Sequence, residues 1–229
     1  MHHIHYFNPL HPPVPESIQS QHSALSDACP ILSPPFPTHL PPTFMRLPQV
    51  PPPKLLSVPC RTFPAAPVTF DLIGAPMRGL GVPMRELVVR SGGALERMLV
   101  GASEHVGAMI GKALGVMNVR LVISRCFLHR KQWPGYEHVD WSLSIELFTF
   151  SGPLTRGQLA LQIASAFQSF IITSSTILPA PHVGNWRIAS TTAAGSTSTG
   201  TVSFDRLVLF AFWNVCDDVW MAEAFVDRR

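Results

Sequence analysis

Apolar and polar residues alternate most regularly between Trp141 and Leu147, and this stretch predicts a strand with one buried face and one wet face. The alternation continues toward Phe150. A second strand is predicted over 116–126, where Val119, Leu121 and Ile123 fall on one face. A third is predicted over 219–226.

Short helices are predicted in the glycine-rich stretch before these strands. Pro83 suits the first position of a helix over 82–90, Glu86 and Arg90 are spaced as a favourable i, i+4 pair, and two glycines follow at 92–93. Two more helices are predicted over 94–100 and 103–114. The latter carries Gly107, Gly111 and Gly115 at four-residue spacing. Close packing inside the domain is the favoured explanation, with a dimer face as the alternative.

The clearest helix signal follows a turn at residues 152–153. Thr155 and Gln158 have the spacing of a capping box, and a broad apolar face runs on to Ile171. Residues 204–215 also fit helical spacing, although a buried strand remains open for them. This order of elements predicts an α+β fold: a small antiparallel sheet of about three strands, with helices packed on one face.

Proline separates the chain into two parts. Of its 23 prolines, 17 fall within the first 67 residues. Proline removes amide donors and disfavours helical geometry in the residue before it, so residues 1–68 are predicted to be a disordered proline-rich tail. The tail is either a docking arm or a passive spacer. Residues 69–229 are predicted to form a single domain, with a mobile Ser/Thr/Gly-rich loop at 189–203.

Charge and cysteine usage exclude several classes of protein. The net charge is only +3, without the basic stripe typical of nucleic-acid modules, so no nucleic-acid partner is expected. Cys29, Cys60, Cys126 and Cys216 lack metal-ligand spacing and are interpreted as four free thiols in a reducing compartment. No signal peptide or membrane-spanning helix is expected, so we expect a soluble protein of the cytoplasm or nucleus.

The densest polar and aromatic cluster, residues 129–141, lies between two predicted strands. Glu137, His138 and Asp140 are candidate catalytic or metal-ligating groups, because a carboxylate can orient an imidazole. The spacing is not diagnostic, and no metal or cofactor is predicted. In the other interpretations the loop caps the core edge through Trp133 and Tyr136, or it binds a protein partner. The candidate binding residues are Arg130, Trp133, Tyr136 and Trp141, a composition seen at interface hot spots.

Two segments carry a resemblance. PGYEHVDW (134–141) and GPLTRGQLA (152–160) resemble a group of uncharacterised fungal hypothetical proteins, in which a similar P-G-Y-x-H-V element precedes a similar helix start. The resemblance implies a shared domain and transfers no catalytic residues.

Two functional hypotheses follow. The leading one is a non-enzymatic protein-interaction domain that binds through the 129–141 loop or the proline-rich arm. The alternative is a metal-dependent or acid/base enzyme that uses His138 with Glu137 or Asp140. The oligomeric state stays open.

Overall fold

The computed structural model describes residues 40–48, 65–75, 79–90, 92–124, 133–189 and 200–229. All of them belong to one compact unit, Pro34–Arg229. Arg130, three of the four cysteines and most of the predicted loop at 189–203 lie outside the described residues.

Two long antiparallel strands form the centre of the sheet. They are β8 (Leu207–Cys216) and β9 (Val219–Asp227), joined by a tight turn in which Asp217 adopts φ 47°. Every residue of β8 is buried and all but Asn214 are apolar, so both faces of the strand are largely apolar. The helical interpretation of 204–215 is therefore wrong. A strand that is apolar on both faces shows no alternation, so its sequence pattern does not distinguish it from a buried helix.

Shorter strands extend the sheet on both sides of this pair. Strand β4 (Asn118–Ser124) runs parallel to β9, and β5 (Trp141–Glu146) pairs antiparallel with β4 at one end of the sheet. Strands β2 (Val68–Thr69) and β3 (Val82–Pro83) both pair with β8. Strand β1 (Phe44–Arg46) pairs with β9. A separate two-stranded hairpin consists of β6 (Phe148–Thr149) and β7 (Gly152–Pro153).

The predicted fold class, a small antiparallel sheet of about three strands, is therefore wrong. The described strands form a mixed seven-stranded sheet with an additional two-stranded sheet. Strands of two or three residues are too short to show a period, and a parallel pairing between β4 and β9 leaves no local mark in the sequence. Strand β1 lies at positions that the prediction assigned to the tail.

Four helices pack against one face of the sheet. They are α1 (Met84–Val89), α2 (Gly93–Met98), α3 (Val106–Leu114) and α4 (Arg156–Ser174). The helices predicted over 82–90, 94–100 and 103–114 and the one after the Thr155 capping box are confirmed, although the third begins at Val106 rather than at 103. Arg90 Nε lies 2.7 Å from Glu86 Oε2, and Thr155 and Gln158 form the expected capping box. Two 3-10 helices, Pro181–Trp186 and Phe204–Arg206, complete the described elements.

The opposite face of the sheet is also largely apolar, with Glu223 as a buried charge on it. Its buried side chains form two clusters, one of Val122, Trp213, Val215, Cys216, Val219 and Met221, the other of Val208, Phe210, Ala211 and Phe225. Leu40 and Phe44 pack against the second cluster. The prediction of four free thiols is wrong for Cys216, which is disulfide-bonded. In the described part of the chain, no helix is long and apolar enough to cross a membrane.

Candidate functional site

Trp133, a candidate binding residue, is a core side chain. Its exposed fraction is 0%, and its ring lies 5.0 Å from that of Phe170 on α4. The indole Nε1 donates a hydrogen bond to the carbonyl oxygen of Trp186 at 3.0 Å. Trp133 therefore joins the start of the 133–141 segment to α4 and to the 3-10 helix that ends at Trp186.

Tyr136 has the same structural role. Its exposed fraction is 1%, and its hydroxyl accepts a hydrogen bond from the Ile188 amide at 3.1 Å. Burial raises the pKa of the Tyr136 phenol, against the opposing effects of that hydrogen bond and of the Arg187 charge. Trp141 is half-buried and meets Phe170 edge-on at 6.2 Å. In the described part of the loop, then, Trp133 and Tyr136 cap the core and present no surface to a partner.

The polar residues of this segment form a different pair from the predicted one. Glu137 Oε1 accepts a hydrogen bond from His182 Nε2 at 2.9 Å and another from the Gly135 amide at 3.1 Å. Burial by itself would raise the pKa of Glu137. The hydrogen bonds from His182, from its own amide and from Gly135, together with the His182 charge, outweigh burial and lower that pKa.

His138 and Asp140 are both exposed, and the carboxylate of Glu137 is already held by His182. The described residues contain no group of three or more His, Cys, Asp or Glu side chains placed to hold a metal ion. His182 was missed by sequence reasoning because it lies 45 positions from Glu137. Only the fold of the 181–186 segment brings the two together.

A small polar pocket lies at the N-terminal ends of α3 and α4. Its volume is about 210 Å³, and its lining residues are Thr69, Asp71, Val100, Glu104 and Arg156. Arg156 donates to Glu104 Oε2 and to the Thr69 carbonyl, both at 2.5 Å, while Asp71 Oδ1 accepts from the Gly79 amide at 2.7 Å. These charges are committed to neighbouring segments. The volume is also below the roughly 300–1,000 Å³ of typical ligand pockets, so we interpret the pocket as a joint between elements.

The outer edge of the sheet at β5 offers a different kind of site. The Leu147 amide donates to the Met117 carbonyl at 2.9 Å, continuing the register in which Val119 lies opposite Ile145. Hydrogen-bonded pairs alternate with non-bonded pairs in an antiparallel ladder, so the odd-numbered residues of β5 bond to β4. The N–H and C=O groups of Ser142, Ser144 and Glu146 therefore point away from β4. No described strand pairs with this outer edge.

Exposed apolar side chains continue from the end of this edge. Phe150 is fully exposed at the tip of the β6–β7 hairpin, and Phe148 and Met117 are also exposed. The hairpin itself packs closely against α3. A Cβ placed on Gly111 would lie 3.0 Å from Cε2 of Phe148, and one placed on Gly107 would lie 2.7 Å from the Leu154 amide nitrogen. Gly107 and Gly111 thus bring the apolar hairpin close to α3, as expected for packing inside the domain, whereas a Cβ on Gly115 would meet nothing within 4 Å.

Comparisons with protein-family models, with curated proteins and with solved structures found no match to this chain.

Proposed function

We propose that this protein is a protein-interaction domain that binds an extended segment of a partner along the outer edge of β5. The observation that carries the proposal is the row of outward N–H and C=O groups at Ser142, Ser144 and Glu146. An edge strand with unpaired backbone groups is a template for one more strand, and strand addition of this kind is a common mode of peptide recognition.

The side chains around this edge support an apolar partner. Leu143 lies on the helix-covered face of β5 and is partly exposed, so it can contact alternate side chains of an added strand. Beyond the strand, Phe148, Phe150 and Met117 offer more apolar area. Apolar side chains grouped on a surface mark sites of association, and here they adjoin backbone groups that no described strand pairs. The expected ligand is an extended segment with apolar residues at every second position.

The 133–141 segment keeps a role in this proposal, although an indirect one. Trp133 fastens the chain that enters β5 to α4 through Phe170, and Tyr136 fastens it to Ile188, so the edge is presented on a packed support. The proline-rich arm is not proposed as the β5 ligand, because proline has no N–H to donate to a ladder.

The proposal is tested by changing one amide of the edge. In Ser144→Pro the missing N–H faces outward, so the β4–β5 ladder stays intact and only an added strand is affected; proline is tolerated in such edge positions. Ser144→Val keeps the amide and serves as the matched control. Peptides are selected on the full-length protein from a phage-displayed random-peptide library and their affinities are then measured on both variants.

We expect the selected peptides to bind Ser144→Val like the wild type and to bind Ser144→Pro at least about tenfold more weakly, because a hydrogen bond is lost and the ring blocks the approach. Phe150→Ser should weaken the same peptides without changing stability. Peptides that bind all variants equally, or a selection that yields no binder, would contradict the proposal. So would a dimer in sedimentation experiments that Ser144→Pro dissociates and Ser144→Val does not, because a second copy would then occupy the edge.

A further inference from the structure

Strand β1 is a small element fastened to one edge of β9. Phe44, Met45 and Arg46 lie opposite Asp227, Val226 and Phe225. The Leu47 amide donates to the Ala224 carbonyl and the Arg228 amide donates to the Thr43 carbonyl, both at 2.9 Å. This alternation assigns the amides of Met45 and Leu47 to β9. The backbone attachment consists of one short ladder, and residues 49–64 separate β1 from the next described part of the chain.

The side chain of Arg46 satisfies a buried charge. Glu223 is 2% exposed and lies on the sheet face that the helices do not cover, opposite Ala211 on β8. Arg46 Nε lies 2.5 Å from Glu223 Oε1, and Arg46 Nη2 lies 3.0 Å from Oε2. Burial raises the pKa of Glu223 against the opposing hydrogen bonds and charge of Arg46. A buried carboxylate that loses its cation is strongly destabilising, so whatever lies on this edge has to bring a positive charge.

Two apolar side chains complete the attachment. The Phe44 ring stacks on Phe225 with their centroids 6.5 Å apart, and Phe225 also meets Phe210 edge-on. Leu47 is fully buried. In the segment 44–47, the anchoring residues are therefore an aromatic residue at the first position, an arginine at the third and an aliphatic residue at the fourth. The planar guanidinium suits this position better than lysine would, because it matches a carboxylate with two parallel hydrogen bonds.

We propose that the edge of β9 is a second docking site, occupied by the chain's own residues 44–47 and open to an extended segment of a partner protein with the same aromatic–x–Arg–Leu pattern. The short ladder makes β1 the element that can leave without unfolding β8 and β9. The buried Glu223 makes the site selective for arginine. This inference rests on β9, and so it stands independently of the β5 edge.

The test uses the full chain and a labelled synthetic peptide of residues 40–48. In the double variant Phe44→Ser/Arg46→Ala the internal segment loses both anchoring side chains. We expect this opened protein to bind the peptide at least about tenfold more tightly than the wild type, because the internal competitor lowers the fraction of open sites. The same peptide carrying R46A should bind the opened protein at least about tenfold more weakly.

Glu223→Gln is then added to the opened protein. The preference for the arginine peptide over the R46A peptide should largely disappear, because its source is the carboxylate. An opened protein that keeps a cooperative melt but fails to bind the peptide, or that binds both peptides equally, overturns the proposal.

Hydrogen exchange of the wild type provides a test that does not depend on the folding of the variants. The amides of Met45 and Leu47 should exchange through a local opening, faster than the ladder amides of β8 and β9. If they exchange only as slowly as those strands, β1 opens only with the whole domain and the proposal is wrong.

Discussion

Gly107 is the position where one added methyl group tests the packing most directly. It lies in the first turn of α3, it is buried, and its amide donates to the Leu154 carbonyl at 2.8 Å. A Cβ at this position would run into the Leu147 carbonyl oxygen and would lie 2.7 Å from the Leu154 nitrogen. Both are backbone atoms, so neither can rotate away. Gly107→Ala therefore has to push α3 away from the residues that flank the β6–β7 hairpin.

The expected cost follows from two opposing contributions. Alanine in place of glycine favours a helix by up to about 1 kcal/mol. Overpacking of a tight contact costs about 1–3 kcal/mol, and a clash with two backbone atoms belongs at the upper end of that range. We expect Gly107→Ala to lower the free energy of unfolding by about 1–2 kcal/mol.

Urea unfolding of the full chain measures this change, and Gly93→Ala is the matched control. Gly93 is the first residue of α2, as Gly107 is the second residue of α3. A Cβ on Gly93 would have only a terminal nitrogen of Arg97 nearby, 3.9 Å away. Gly93→Ala should leave stability unchanged or raise it slightly. If Gly107→Ala is as stable as the control, α3 does not approach the hairpin as closely as described. A change in self-association with unchanged unfolding would favour the dimer-face interpretation of these glycines instead.

Three further predictions concern the core, a helix terminus and a titratable pair. Trp133→Ala should lower the unfolding free energy by about 3–5 kcal/mol, whereas Phe150→Ser should change it by less than about 0.5 kcal/mol; equal effects in thermal melts would contradict the burial of Trp133. Thr155→Ala should cost about 0.5–2 kcal/mol in urea unfolding, and Thr155→Ser should recover most of it. Because the folded-state pKa of Glu137 is lowered, the contribution of its pair with His182 is complete above the ordinary pKa of an unfolded-state glutamate and is lost as pH falls through the folded pKa. Glu137→Gln should therefore flatten part of the acid limb of the melting temperature against pH; an unchanged acid limb would contradict this assignment.

The elements that the sequence predicts correctly are those whose signals are local. Thr155 and Gln158 lie one turn apart, so a capping box requires nothing beyond the first turn of α4. The alternation in β5 is legible for the same reason, because one face meets the core and the other meets water over consecutive residues. The short helices α1 to α3 also begin or end beside Pro83, Gly92 and Gly115, and the backbone preferences of proline and glycine are set by the residue type itself.

Strand β8 could not be assigned from its local sequence pattern. Its apolar residues fill both faces because one face packs against the helices and the side chains of the other face are buried as well. A run without alternation fits helical and strand spacing equally well. The choice depends on β9, whose residues pair with it along nearly its full length.

The functional side chains depend on tertiary structure in the same way. A segment rich in Trp, Tyr and charged residues has the composition of a binding surface, yet Trp133 and Tyr136 are buried because α4 and residues 186–188 close over them. Glu137 was expected to act with His138, but two neighbours along the chain need not face each other. The carboxylate of Glu137 is hydrogen-bonded to His182 instead.

What the sequence determined by itself was the position and type of most local elements, because capping, turns and periodicity act between residues a few positions apart. Only the tertiary structure decided which strand lies at an edge, which aromatic side chains are buried and which carboxylate faces which cation. Those properties arise from contacts between distant segments, such as Arg46 with Glu223, whose pairing energy depends on burial that neither segment creates alone.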